Sequence, residues 1–524
     1  MKATKLLLLG AMGIALPLLA GCGSSRNEEF QKEGRLTIVY YPGGYGQEYL
    51  DYFCKQFLAK ERNAKPEDIV SGVDYKLIAD PDITYGASRY IASKTRCPDL
   101  IISNLLSTAA IPQGLISPLD DVFNTQVDTS EGKKTIREFA MTEAVQQYTV
   151  ELSYGQTGKY SFAMPWTAIP LSIAYNNTIL QKIPHVSSIA VGEDAIVNGK
   201  WARAPKTVTE LKAIFEDADA YDSRLTKFGW AAVNGTNWFE TLIITWWAQR
   251  QGVDTAHLYP SQGSYYDFWS YTSEEIFKQT GLQDALAQIK ELLIQGDQFV
   301  NSFPTVGNMT IKMAQQAFAE GKALFCLTGD FFEKEYKSVI EQYGQEFKMM
   351  RVPAIAGAVT KDDGETPLDL SYLNISSCAY VPTYGLNKKL AKDFLVYTSS
   401  EESCLKMSEL TGAIRPFSYD ARNNSGYSQM SSFTKSVYDL YYESDDYLVK
   451  YPRNVSPQNI SPIYLYENVS ENIFNGCNYY TIVSTLKQLT PNQIMVTGGG
   501  DFKSVYARAA ESFVIWRRRY GLKF

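Results

Sequence analysis

Short apolar runs alternate with polar loops and helical patterns along the chain. Residues 36–41 (Leu-Thr-Ile-Val-Tyr-Tyr) form a β-branched and aromatic run, which Pro42-Gly43-Gly44-Tyr45-Gly46 stops before apolar residues at helical spacing. The same order recurs at 99–102, 228–233 and 323–327. Strand, loop and helix in alternation predict α/β units with covered, largely parallel sheets.

Several helix boundaries can be predicted from local patterns. Thr207 and Glu210 have capping-box spacing, in which each side chain would satisfy a free backbone N–H at a helix start. Residues 399–402 (Ser-Ser-Glu-Glu) begin another helix, which Gly412 would end in a left-handed cap. Helical spacing also predicts helices over three further ranges, 285–294, 390–397 and 502–520.

The first 22 residues follow a different pattern. Two lysines precede an apolar run over 6–18, which is too short to span a membrane and predicts an export signal. The ending Leu19-Ala20-Gly21-Cys22 resembles the lipobox of bacterial lipoproteins, which implies that Cys22 becomes the lipidated first residue of the mature chain. The alternative is an ordinary signal peptide that ends near a cysteine. We therefore expect a signal peptide over 1–21, a lipid anchor and tether over 22–35, and a location on the extracytoplasmic face of the cell membrane.

Composition narrows the possible partners. The 524 residues carry a formal net charge of −7, which argues against nucleic acid because that partner requires a basic face. The length predicts two to four domains, and no later stretch is apolar enough to span a membrane.

Six cysteines besides Cys22 are widely spaced, and the only histidines are His185 and His257. Zinc-ligand spacing is absent, so we expect no metal or cofactor; disulfides and isolated buried thiols both remain open for the cysteines.

Landmarks in a fixed order carry a resemblance over nearly all of the mature chain. They are a first-lobe stretch at 97–101 with 114–120, a first crossover at 162–176, a helix start at 204–211, a second crossover at 318–330, a third crossover at 384–391 and a loop at 411–416. In this order they resemble the extracellular solute-binding proteins of bacterial carbohydrate ABC importers. One departure is Phe331-Phe332, which stands where many members carry a tryptophan.

The resemblance implies a two-lobe, periplasmic-binding-protein-like α/β fold with three crossovers and a ligand cleft between the lobes. We expect lobe 1 over 36–163 plus 330–382 and lobe 2 over 168–326 plus 386–524. The implied function is capture of an extracellular carbohydrate, an oligosaccharide, for delivery to an ABC transporter permease. A monomer without enzymatic activity is expected.

Ligands of α/β sheets bind beyond the carboxyl ends of the strands. This rule selects the loops at 41–46, 103–104, 234–238 and 328–331, independently of the resemblance. Sugars offer apolar C–H faces to aromatic rings and hydroxyls to planar polar groups. On this basis the candidate ligand-binding residues are Tyr45, Asn104, Trp166, Trp238, Asp330 and Arg415.

Each candidate has a structural alternative. Tyr45 could pack on its own helix, and Asn104 and Asp330 could cap the helices that follow them. Arg415 could form a salt bridge across its lobe, and the two tryptophans could be core residues. Trp246 and Trp247 lie within a predicted helix and are assigned to the core.

Catalytic signatures are missing from the chain. The sequence has no Gly-x-Ser-x-Gly elbow, no phosphate loop and no His-Glu-x-x-His motif. Two alternatives to sugar capture remain open: a membrane-anchored glycan hydrolase, whose two carboxylates could lie far apart in sequence, and a binding protein for a peptide or another non-sugar solute.

Overall fold

The structure is a computed structural model of the chain. It describes residues 30–107, 110–152, 158–230, 240–253, 263–265, 279–295, 298–375, 377–449, 482–484 and 487–489. Cys22, the loop 234–238 with Trp238, and the predicted helix 502–520 lie outside the described residues. No helix of the described part is both long and apolar enough to cross a membrane.

Strands form in all four predicted strand-loop-helix units, at 36–40, 100–103, 226–229 and 323–329, and elsewhere several described strands follow one another directly. The strands are β1 Leu36–Tyr40, β2 Tyr75–Ala79, β3 Leu100–Ser103, β4 Gln126–Thr129, β5 Gly132–Thr135, β6 Thr149–Leu152, β7 Gly158–Ser161, β8 Met164–Pro165, β9 Ile169–Asn176, β10 Ile196–Val197, β11 Lys200–Trp201, β12 Thr226–Gly229, β13 Ile294–Gln295, β14 Gln298–Phe299, β15 Ala323–Gly329, β16 Phe347–Met350, β17 Leu370–Asn374, β18 Cys378–Tyr380, β19 Asp446–Val449, β20 Ile482–Ser484 and β21 Lys487–Leu489. The α-helices are α1 Glu48–Arg62, α2 Ile83–Gly86, α3 Ser88–Ile91, α4 Asp120–Phe123, α5 Ile136–Phe139, α6 Thr142–Gln147, α7 Asn177–Leu180, α8 Val208–Tyr221, α9 Glu240–Gln251, α10 Thr280–Leu293, α11 Ile311–Ala319, α12 Phe332–Glu335, α13 Lys337–Tyr343, α14 Lys388–Thr398, α15 Glu401–Thr411 and α16 Ser432–Tyr442.

The first sheet has the strand order β2-β1-β3-β18-β8. β1 pairs in parallel with both of its neighbours, and Tyr40 at its carboxyl end lies opposite Ile102 of β3. β18 is antiparallel to β3 and to β8. The apolar face of α1 covers this sheet, and Phe57 of α1 packs edge-on against Phe394 of α14 at 5.6 Å between ring centres.

The second sheet has the strand order β12-β15-β9-β17-β19, with β16 also paired to β9. β9 is antiparallel to β15, β16 and β17. Both sheets are therefore mixed, and the prediction of largely parallel sheets is wrong. The physical reason is that β9 enters the second sheet from the first and runs antiparallel to three of its strands, and such pairing between distant segments is not specified by the alternation along the chain.

The pairing of the strands also differs from the expected lobe boundaries. β16 and β17 belong to the second sheet, although the sequence assigned 330–382 to lobe 1. Conversely, α14 and α15 pack on α1 beside the first sheet, although the sequence assigned 386–524 to lobe 2. The chain passes from the second sheet to the first between Asn374 and Cys378, which is earlier than the predicted third crossover at 384–385.

Local helix signals were read correctly, with one exception. Thr207 accepts a hydrogen bond from the N–H of Glu210, as predicted, and Ser400 caps α15 through the N–H of Ser403. Gly412 ends α15 with φ of 76°. The exception is the carboxylate of Glu210, which accepts hydrogen bonds from the N–H groups of Lys206 and Gly192 instead of completing a capping box.

The core runs without interruption from one sheet to the other. One apolar cluster contains Ile38 of β1, Ala174 of β9 and Leu373 of β17. Cys54, Cys97, Cys326 and Cys404 are buried free thiols, and Cys378 is also buried. The described residues contain no group of three or more side chains suited to hold a metal ion.

Candidate functional site

The loop after β1 meets the end of β15. Gly44 has φ of 81°, and a Cβ atom at this position would lie 3.1 Å from Cβ of Phe331, so this close approach favours glycine. The next residue, Tyr45, is buried, and its hydroxyl donates a 2.6 Å hydrogen bond to Oδ1 of Asp330. Two predicted site residues are thus in direct contact.

Asp330 is a buried carboxyl group that follows the last residue of β15. Burial raises its pKa to about 7, although the Tyr45 hydroxyl and the nearby N–H groups of Ile414 and Phe331 favour the charged form. Burial, together with Asp330 itself, raises the pKa of Tyr45 well above its usual value. A carboxyl group with a pKa about 7 exchanges a proton near neutral pH.

Trp166 lies in the link between β8 and β9 and is only 1% exposed. Its Nε1 donates a hydrogen bond to the Tyr49 hydroxyl at 3.2 Å, and its backbone N–H donates to the Ser377 carbonyl at 2.8 Å. The guanidinium carbon of Arg415 lies 4.3 Å from the centre of a Trp166 ring. In this conformation, therefore, the arginine covers one face of the Trp166 ring.

Arg415 is fully buried beside Trp166. Its Nη1 donates to the Thr398 carbonyl at 3.3 Å, and its guanidinium also lies 5.1 Å from the Phe417 ring centre. Burial lowers the pKa of this arginine. Across the described chain Arg415 has no carboxylate partner, so the alternative of a salt bridge across the lobe finds no support there.

Asn104 follows the carboxyl end of β3, directly beside the end of β1. It is half-buried and lies at the same sheet edge as the Tyr45 loop. Trp246 and Trp247 are core residues as predicted; both are fully buried, and their Nε1 atoms donate to the Pro353 carbonyl and to Oε1 of Gln279. The structure thus gathers Tyr45, Trp166, Asp330 and Arg415, places Asn104 at the sheet edge that carries the Tyr45 loop, and does not describe Trp238.

Two residues, one next to Trp166 and one at the sheet edge that carries the Tyr45 loop, were missed from sequence. Thr167 is buried beside Trp166, and its position in the same crossover could have drawn attention to it. Tyr85 lies in α2, which follows the carboxyl end of β2, and it is 88% exposed. Because β2 is the parallel neighbour of β1, Tyr85 follows the same sheet edge as the Tyr45 loop. No local signal separates Tyr85 from the other tyrosines of the chain.

Phe332, at the departure from the family pattern, is fully buried and packs on the rings of Phe318 and Phe347. Phe331 is half-buried beside Gly44. The phenylalanine pair thus stabilises the apolar core below the Asp330 loop.

A comparison with protein families identifies the chain. The family of bacterial extracellular solute-binding proteins matches residues 90–435, about two thirds of the sequence. The chain belongs to this family. As a solute-binding protein, it works outside the cytoplasm and captures a solute for an ABC transporter. No match was found among curated proteins.

The matched region of this solute-binding protein contains Asn104, Trp166, Asp330 and Arg415, whereas Tyr45 precedes it. The site brings together aromatic rings, a carboxyl group and a guanidinium group. This set can bind a ligand through ring stacking and directed hydrogen bonds.

Proposed function

We propose that this solute-binding protein captures an extracellular carbohydrate, an oligosaccharide, between two lobes and delivers it to the permease of an ABC transporter. Lipid modification of Cys22 holds it at the membrane. The observation that carries the proposal is the meeting of Tyr45 and Asp330 beside Trp166 and Arg415. Aromatic rings next to planar polar groups match the apolar faces and hydroxyls of a sugar.

The position of this cluster supports a closing motion. Tyr45 follows a strand of the first sheet, Asp330 follows a strand of the second, and Trp166 lies in the link between the two sheets. Bending at that link would open or close the space between Tyr45 and Asp330. A ligand that contacts both sides binds the closed form more tightly and shifts the population towards it.

The proposal is tested with residues 23–524 in a glycan array, followed by thermal-shift and calorimetric titration of each ligand found. Saturable binding of an oligosaccharide that raises the melting temperature is the expected result. Binding of peptides, with no carbohydrate ligand in either assay, would replace the sugar with another solute.

Hydrolysis is tested on the same samples. We expect each bound oligosaccharide to stay intact during prolonged incubation with the protein. Shorter products above a buffer control would favour the membrane-anchored hydrolase over the transport function.

A further inference from the structure

Three buried side chains at the site carry polar atoms without a hydrogen-bond partner in the described part of the chain. The atoms are Oγ1 of Thr167, Oδ2 of Asp330, and Nε and Nη2 of Arg415. Among the described residues, no N–H or O–H group points at Oδ2 of Asp330 with hydrogen-bond geometry, although the backbone N–H groups of Ile414 and Phe331 lie near the carboxyl. Leaving such a buried group unpaired is costly, so several at one place indicate that another molecule supplies the partners.

The three side chains surround the same two aromatic residues. Thr167 directly follows Trp166, and the guanidinium of Arg415 lies over the Trp166 ring. The Tyr45 hydroxyl donates to Asp330, and the Thr167 hydroxyl lies near the Tyr45 hydroxyl without the geometry of a hydrogen bond. The backbone N–H of Ile414, next to Arg415, lies near the Asp330 carboxyl. These contacts join four separate chain segments, around Tyr45, Thr167, Asp330 and Arg415, into one polar cluster.

The unpaired atoms of Arg415 define what this group can bind. Nε and Nη2 share one edge of the guanidinium, and this edge donates two parallel hydrogen bonds that match the two oxygens of a carboxylate. The third nitrogen, Nη1, is already bonded to the Thr398 carbonyl. A buried cation without an anion is costly, and the described residues supply no carboxylate to it.

We propose that Thr167, Asp330 and Arg415 form a subsite for an acidic sugar residue, in which the carboxylate of a uronic acid binds the free edge of Arg415. Ring hydroxyls of the same residue pair with Thr167 and with Oδ2 of Asp330. This subsite rests on the proposed function and narrows its substrate class to acidic oligosaccharides. The three side chains are buried in this conformation, so the two sheets must separate before the sugar enters.

The test is calorimetric titration of residues 23–524 with a panel of uronic-acid oligosaccharides. Each is paired with its carboxyl-reduced counterpart of the same length and linkage. We expect at least one acidic oligosaccharide to bind, with its reduced counterpart at least about 10-fold weaker. Equal or tighter binding of the neutral partner would overturn the acidic subsite and leave sugar capture standing. If neither acidic nor neutral carbohydrates bind, both the acidic subsite and the proposed capture of a sugar are overturned.

Single substitutions test whether binding of the acidic oligosaccharide depends on the side chains of the subsite. Thr167→Val keeps the shape of the side chain and removes Oγ1, so we expect about 5- to 10-fold weaker binding of the acidic ligand. Thr245→Val is the matched control, because Thr245 is fully buried in α9 and its Oγ1 also lacks a partner in the described residues. The control should leave affinity within about twofold.

Arg415→Lys keeps the charge but cannot offer two parallel donors, so the preference for the acidic partner should fall by about 10-fold or more. Urea denaturation of each variant verifies that the titrated protein is folded. Unchanged affinity and unchanged preference in both Thr167→Val and folded Arg415→Lys would overturn the subsite.

Discussion

The Tyr45 hydroxyl donates a 2.6 Å hydrogen bond to the Asp330 carboxyl, across 285 positions of sequence. Both side chains are buried, and the bond joins a loop of the first sheet to the end of a strand of the second. Asp330 therefore links the two sheets and also has a raised pKa. Its pKa about 7 makes this contact sensitive to pH.

The protein should lose stability through Asp330 as the pH rises. Burial raises the pKa of this carboxyl from 3.8 to about 7, so the folded state holds its proton more tightly than the unfolded state. The stabilisation that comes from this bound proton is complete below about pH 4 and disappears as the pH approaches 7. Between pH 5 and 8 the free energy of unfolding should fall by roughly 2–3 kcal/mol through this group, at about 1.4 kcal/mol per unit.

Asp330→Asn tests this, because asparagine still accepts the Tyr45 hydrogen bond and does not titrate. Urea denaturation at pH 5, 6, 7 and 8 should show a relative gain for the variant as the pH rises. Asp121→Asn, at an exposed carboxylate that pairs with Lys392, should follow the unmodified protein. Parallel pH profiles for all three proteins would contradict the raised pKa.

Trp166→Ala should destabilise the protein by about 3–5 kcal/mol, since it removes a buried ring and its hydrogen bond to Tyr49. It also removes the support of the Arg415 guanidinium. Chemical denaturation measures the loss, with Trp166→Phe as a milder variant that keeps a ring. A loss below about 1 kcal/mol would mean that Trp166 is not held in the core as the structure describes.

Tyr85→Ala should weaken oligosaccharide binding without changing the fold. The ring is 88% exposed and follows the sheet edge that also carries the Tyr45 loop, so it can stack on a sugar ring. Loss of one stacking contact predicts about 0.5–1.5 kcal/mol of binding free energy, with stability within about 0.5 kcal/mol. Tyr343→Ala is the control, at another exposed tyrosine. Equal affinities of the two variants would remove Tyr85 from the site.

Trp238→Ala remains a prediction from sequence. If the ring stacks on a sugar, binding should weaken by roughly 1–3 kcal/mol, with only a modest loss of stability. If it is a core residue, stability should fall by about 3–5 kcal/mol, and the affinity of the folded protein should hardly change. Calorimetric titration combined with chemical denaturation distinguishes the two results.

Cys22→Ser tests the anchor. The variant should leave the membrane fraction or remain unprocessed, because serine cannot form the thioether to lipid. Metabolic labelling with palmitate measures the modification directly. Lipid labelling that persists in the variant would be incompatible with Cys22 as the anchor.

Sequence patterns predicted several of the individual elements. β1, β3, β15 and α15 lie within about two residues of their predicted ranges, and the caps at Thr207, Ser400 and Gly412 form as expected. These features depend on side chains that interact with their own backbone within a few residues. They could therefore be read without knowledge of the fold.

The pairing of strands and side chains that lie far apart in the chain was harder to predict from sequence. The antiparallel course of β9 and the place of β16 and β17 in the second sheet depend on which strands meet, and this is decided by packing between distant segments. The same holds for Glu210, whose carboxylate accepts a hydrogen bond from the N–H of Gly192 in addition to that of Lys206. Long-range partners of this kind leave no local pattern.

The sequence by itself determined the alternation of strands and helices, the core position of Trp246 and Trp247, and a family membership carried by ordered landmarks. Only the tertiary structure decided that Tyr45 meets Asp330, that Arg415 covers Trp166, and that Tyr85 is exposed at the same sheet edge. Periodicity and capping act within one turn of helix or a few residues of strand. Burial, the raised pKa of Asp330 and the unpaired edge of Arg415 arise from groups that come together only after the two sheets have packed.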